Sequence, residues 1–345
     1  MLSLYPAIEP FKHYHLTVTN DGITGALIDK ESAIEHHLYI EQCGNPLGIP
    51  VVFLHGGPGS GCRPSHRCFF NPELYHIILF DQRGCGRSRP YGALAHNTTA
   101  NLIQDMEAIR QHIGIEQWLV FGGSWGTTLG LYYAHHFAER VSGLILRGVF
   151  LAREQDIDWV YAENGAAKIF PDAWDNLVED LPLSQQAQPL SVIYKQLTGD
   201  DTKLSNDIFN KLEHWESSLI YWQETLSFEA NAIDNSIENS VESSVESSKN
   251  EDNKVPSIIQ LYYSINHCFI AKEPLLDLVQ TIRHIPTKII HGRHDMVCPL
   301  EQAWQLKKHW PEAELSIIEM AGHVVNEPKI IDALVKATDD FAALS

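Results

Sequence analysis

Gly122-Gly123-Ser124-Trp125-Gly126 fits the pattern G-x-S-x-G. An apolar run, residues 118–121, leads into it, and the helix-like stretch GTTLGLYYAHHFAERV follows. In that context the turn lifts a hydroxyl above the carboxyl edge of a sheet, and the glycines make room for a backbone too crowded for side chains. The start of the helix offers N–H groups and positive dipole character to a developing negative charge. A serine hydroxyl attacks poorly until a base takes its proton, so a carboxylate and then a histidine are expected downstream. Asp295 closes PTKIIHGRHD and His323 closes ELSIIEMAGH, each where an apolar run ends. Alone, Asp295 would read as a helix cap and His323 as a polar loop residue. Together with the serine turn they read as a triad. His55-Gly56-Gly57-Pro58-Gly59 adds a glycine-rich loop after an early strand. The N–H groups of Gly57 and Trp125 are accordingly assigned to an oxyanion hole.

Such residues need a frame that gathers them. IPVVFLHGG, HIILFDQRG, QWLVFGGS and SGLILRGVF are short apolar runs rich in β-branched and aromatic residues. Between the second and third of these, Leu102, Met106, Ile109 and Ile113 recur at helical spacing, and Gly114 is a stop signal. Apolar strands alternating with helices predict an α/β fold, mostly parallel and covered on both faces. Loops at the carboxyl ends of parallel strands share one crevice, where Ser124, Asp295 and His323 can meet. The rhythm stops after Phe150 and returns at PTKIIHGRHD. The expected organisation is therefore a core in two parts, 1–150 and 273–345, with a helical cap over 151–272. Within the cap, the polar and acidic run near 229–254, with its VESSVESS repeat, has too little apolar surface to offset its ordering entropy. A mobile loop is expected there.

The composition narrows the function further. A formal net charge of −19 over 345 residues argues against nucleic acid and anionic membrane surfaces as partners. No apolar run approaches the ~20 residues of a membrane-spanning helix, and the N-terminus shows no secretory pattern. Six scattered cysteines suit reduced thiols, hence a cytoplasmic protein. His36-His37, His135-His136 and the pair His291, His294 form no H-E-x-x-H or C-x-x-C pattern, so neither a metal nor another cofactor is expected. DQRGCGRS lacks the spacing of a phosphate-binding loop and reads as a structural turn beside the site.

HGGPGSG, DQRGCGRS, GGSWGTTLG, GRHDMVCP and AGH, in this order, resemble the proline iminopeptidases (prolyl aminopeptidases) of the α/β-hydrolase fold. LYPAIEPF and LYIEQCGNPLGIPVVFLHGGPG are similar too, so the likeness runs almost end to end. It implies Ser124 as nucleophile, His323 as base and then acid, and Asp295 as orienting carboxylate. It also implies cleavage of a free N-terminal residue, preferably proline, from peptide substrates. Glu216, following Trp215 in KLEHWESSLIYW, matches the family's amine-binding glutamate, and Phe150 an aromatic of its proline pocket. Two positions depart from the pattern. Ile265 stands where a second glutamate would be, and Val160 where an aromatic is common. The rival readings are a hydrolase of a small ester, thioester or lactone, and a non-catalytic binding protein on the same fold. Dehalogenase and epoxide-hydrolase chemistry would need aspartate in place of Ser124.

Overall fold

The computed structural model describes residues 1–19, 35–221 and 252–344. Its strands are β1 (Lys12–Val18), β2 (His36–Gly44), β3 (Ile49–Leu54), β4 (Tyr75–Phe80), β5 (Trp118–Gly123), β6 (Val141–Arg147), β7 (Thr287–Gly292) and β8 (Glu314–Ile318). They form one sheet in the order β1-β2-β4-β3-β5-β6-β7-β8. β1 and β2 pair antiparallel, as do β2 and β4. Every later pairing is parallel.

Helices α1 (Thr99–Ile113) and α2 (Trp125–His136) flank β5. Between β6 and β7 come α3 (Glu154–Tyr161), α4 (Pro171–Val178), α5 (Leu190–Leu197), α6 (Thr202–Ile220), α7 (Val255–Ile265) and the short α8 (Leu275–Leu278). α9 (Leu300–His309) and α10 (Pro328–Ala342) follow β7 and β8. Both ends of α1 carry their expected signals. The Thr98 hydroxyl accepts from the Asn101 N–H at 3.3 Å, and Gly114 takes a left-handed turn at φ 81°.

Why the central strands are apolar throughout follows from their two covered faces. Val52, Leu54, Val120 and Leu146 point into one layer, closed by α1, α2, α8 and α9. Their neighbours Val51, Phe53, Leu119 and Ile145 point into the other, closed by α10 and by Leu4, Tyr5 and Ile8 from the N-terminal segment. The helices between β6 and β7 hold a third cluster built on Trp174, Leu177, Leu212, Trp215 and Leu261. Trp174 meets Trp215 edge-on at 5.2 Å. Leu177 and Leu212 are fully buried, each contributing about 1.5–3 kcal/mol of transfer free energy. These helices are tied to the segment after β7 by polar contacts as well. Trp159 Nε1 donates to Met296 O at 2.8 Å, and Arg153 bridges Asp156 and Glu301 at 2.7 and 2.6 Å. Most of the acidic run expected to be a mobile loop lies outside the described residues. Only residues 252–254 of it are described, as a short turn into α7.

The crossing of β5 into α2 leaves no room for side chains. A methyl group on Gly126 would collide with the carbonyl oxygen of Leu54, and one on Gly122 with the carbonyl oxygen of Gly126. Backbone cannot yield as a flexible side chain would. Gly126→Ala is therefore expected to lower stability by about 1–3 kcal/mol, read as a lower urea midpoint at unchanged slope; an unchanged midpoint would show that β3 and α2 can separate freely.

Candidate active site

Ser124 lies between the last residue of β5 and the first of α2, with φ 55° and ψ −122°. L-residues rarely adopt this conformation, and holding it costs on the order of 1–3 kcal/mol. Its neighbours supply the restraint. The Ser124 N–H donates to Arg147 O at 2.9 Å, and Ser124 O accepts from Thr127 N at 2.8 Å and from Thr127 Oγ1 at 2.7 Å. The hydroxyl is thereby presented to His323, whose Nε2 lies 3.1 Å from Ser124 Oγ. His323 Nδ1 is 2.7 Å from Asp295 Oδ2. Asp295 Oδ1 accepts from the N–H groups of Val297 and Cys298 at 3.0 and 2.7 Å. Burial pushes the Asp295 carboxyl up, but the His323 charge and hydrogen bond, with His291 and the Cys298 N–H, outweigh it and hold the group below its ordinary value. An ionised Asp295 keeps the imidazole proton on Nδ1 and leaves Nε2 free to accept from Ser124.

The loop after β3 brings Gly57 to the same cavity as Ser124 and His323. The backbone N–H groups of Gly57 and Trp125 donate to no protein carbonyl among the described residues. The Trp125 ring, by contrast, is fully buried, and its Nε1 donates to Gln82 Oε1 at 2.9 Å. DQRGCGRS forms a turn clamped by Arg87, which donates to Asp81 at 2.8 Å and to Glu41 at 2.5 Å.

The cavity has a volume of about 350 Å³, and Phe150, Ile157, Val160, Leu219 and Glu216 are among its lining residues. Glu216 Oε1 accepts from the Tyr161 hydroxyl at 2.8 Å and from Gln260 Nε2 at 2.8 Å. Gln260 Nε2 also lies 2.7 Å from the Tyr161 hydroxyl. Burial raises the Glu216 carboxyl to about 7, against the opposing hydrogen bond from Tyr161 and with the help of Glu213. Ile265 is not among the lining residues. It ends α7, whereas Gln260 and Ser264, four residues apart on one face of that helix, line the cavity. Val160 does line it.

Sequence reasoning missed three contributors. Tyr161 and Gln260 are ordinary helix residues whose meeting with Glu216 depends on how α3, α6 and α7 pack. Arg147, at the end of β6, contacts both Ser124 and His323. Its carbonyl holds the Ser124 N–H, while its Nη1 donates to His323 O at 2.9 Å. Its guanidinium also fills the space beside Gly123, where an added Cβ would lie 2.7 Å from Nη2. Among the described residues no group of three or more His, Cys, Asp or Glu side chains is placed to hold a metal ion.

Residues 49–329 match the alpha/beta hydrolase fold family. Over 99% of its length the chain is 42% identical to the proline iminopeptidase of Arabidopsis thaliana, covering 83% of that protein. It is 41% identical to the proline iminopeptidase of Xylella fastidiosa, covering 99% of this chain and all of that one. Among solved structures, a proline iminopeptidase-related protein from Thermus thermophilus superposes with a TM-score of 0.55 at 15% identity, covering 96% of this chain and 98% of the other. The structural likeness establishes the fold, and the sequence likeness the family. The chain belongs to the proline iminopeptidase family of the α/β-hydrolase fold.

Proposed function

We propose that this chain is a serine exopeptidase that releases N-terminal proline from peptides through an acyl-enzyme. The observation that carries the reading is a carboxylate, Glu216, lining the same cavity as the hydrogen-bonded Ser124 and His323. A hydrolase of simple esters has no use for a half-buried anion there. An enzyme that must find a charged N-terminal amine does, because a paired charge in a water-poor pocket is worth more than one at the surface.

In this scheme Ser124 Oγ attacks the carbonyl carbon of the first residue while His323 Nε2 takes its proton. The N–H groups of Gly57 and Trp125 receive the oxyanion. His323 then gives the proton to the leaving amine, the C–N bond breaks, and the acyl group stays on Ser124. Water repeats the cycle, with His323 again as base, and frees the N-terminal residue. Phe150, Ile157 and Val160 offer apolar surface to a pyrrolidine ring. The six free thiols support a reducing compartment such as the cytoplasm. No helix among the described residues is long and apolar enough to cross a membrane.

Blocking the amine should cost most of the rate. N-acetylproline p-nitroanilide is expected to be cleaved at least about 100-fold more slowly than proline p-nitroanilide, and Glu216→Gln should lose a comparable factor on the free amine, chiefly in KM. Equal rates on the two substrates would remove Glu216 from recognition.

The raised Glu216 carboxyl sets a pH dependence with a definite sign. Below about 7 the group is protonated and cannot pair with an ammonium; above it the group is ionised and can. The ratio of kcat/KM for a proline ester to that for its N-acetyl counterpart cancels the titration of the triad, which both substrates share. From pH 5 upward this ratio should climb, bend at about 7 where Glu216 is half ionised, and fall again above about 7.7–8.0, where the substrate amine is half deprotonated. In Glu216→Gln the ratio should stay flat, and a flat ratio in the wild type would contradict the assignment.

A further inference from the structure

An oxyanion hole made from a glycine loop has a weakness. Gly56 and Gly57 carry no side chains to fix their peptide planes, yet the donors must be aimed before the charge develops. Two fully buried residues lie just behind that loop, His55 and Gln82. The Gln82 backbone N–H donates to His55 Nε2 at 3.0 Å. Nε2 is therefore an acceptor, and the proton of the neutral ring sits on Nδ1, which donates to Gly56 O at 2.9 Å. Burial favours that neutral ring by lowering the His55 pKa. Within a planar trans peptide the C=O and the following N–H point in opposite directions. Holding Gly56 O thus aims the N–H of Gly57.

Gln82 reaches the second donor as well. Its side-chain Nε2 donates to His55 O at 3.2 Å, and its Oε1 accepts from Trp125 Nε1 at 2.9 Å. An indole N–H can only donate, so the amide is held in one orientation. One residue of the turn after β4 therefore grips both the loop after β3 and the first residue of α2.

We propose that His55 and Gln82 are positioning residues that preset the two oxyanion donors, acting through the Gly56–Gly57 peptide plane and the Trp125 ring. This rests on the assignment of the oxyanion hole to Gly57 and Trp125. Neither residue is asked to touch the substrate.

The test compares wild type with Gln82→Met, which keeps the chain length and removes both side-chain bonds. Trp125→Phe cuts the indole link from the other side, so the test survives if the first variant does not fold. Proline p-nitroanilide gives kcat and KM. Prolyl boronate, which forms a tetrahedral anionic adduct on the serine, is compared with prolinol, a ligand that forms none. Expected in both variants is a fall of about 10–100-fold in kcat and in boronate affinity, with KM and prolinol affinity within about twofold. Unchanged kcat and boronate affinity, even with a lower melting temperature, would overturn the proposal and leave the oxyanion assignment standing. A fall in kcat with undiminished boronate affinity would overturn the assignment and the proposal together. A parallel loss of prolinol binding would mean a damaged pocket, and would also count against it.

Discussion

The whole arrangement depends on one backbone conformation, the positive φ of Ser124. A serine in this conformation is unfavourable unless its surroundings leave no alternative. Here they do not, because α2 presses so closely on β3 and β5 that Gly126 and Gly122 have no room for a side chain. The Ser124 N–H is also bound to the carbonyl of Arg147 on β6. Close packing of the sheet and helix thus supplies the free energy that keeps the hydroxyl exposed in a fixed direction. The loops after β3, β7 and β8 bring Gly57, Asp295 and His323, the proposed partners of Ser124, to the same edge of the sheet.

Electrostatics divides the cavity into two regions with opposite demands. Asp295 is fully buried but surrounded by donors and by an imidazole, so it stays ionised and can orient His323. Among the described residues Glu216 accepts hydrogen bonds from the neutral donors Tyr161 and Gln260, with Glu213 nearby, and burial raises it to about 7. An arriving ammonium would reverse that balance by giving Glu216 the charge it lacks. Two carboxylates separated by environment can in this way serve orientation at one end and recognition at the other.

Much of this was legible in the sequence, for physical reasons that differ from part to part. The strands showed as apolar runs because both faces of the sheet are covered, and α1 showed through its period and its Gly114 stop. The meeting of Ser124, Asp295 and His323 was foreseeable because each follows the end of a strand in the sequence, and their hydrogen bonds join them there. The neighbours of Glu216 were not. Gln260 and Tyr161 reach it through the packing of α3, α6 and α7, which no local pattern encodes, and Ile265, the departure from the family pattern, is not among the cavity-lining residues. The linking roles of Gln82 and Arg147 were equally silent, since their partners lie on other strands and loops. Most of the acidic run near 229–254 lies outside the described residues, so its expected mobility stays a sequence-based reading.

The central claim is that Ser124 is a nucleophile activated by His323. The most direct measurement is the site and rate of labelling by a fluorophosphonate, followed by peptide mass spectrometry. The account predicts one equivalent of label, on Ser124, and labelling at least about 1000-fold slower in His323→Ala. Label on another residue, or equal rates in wild type and variant, would contradict it.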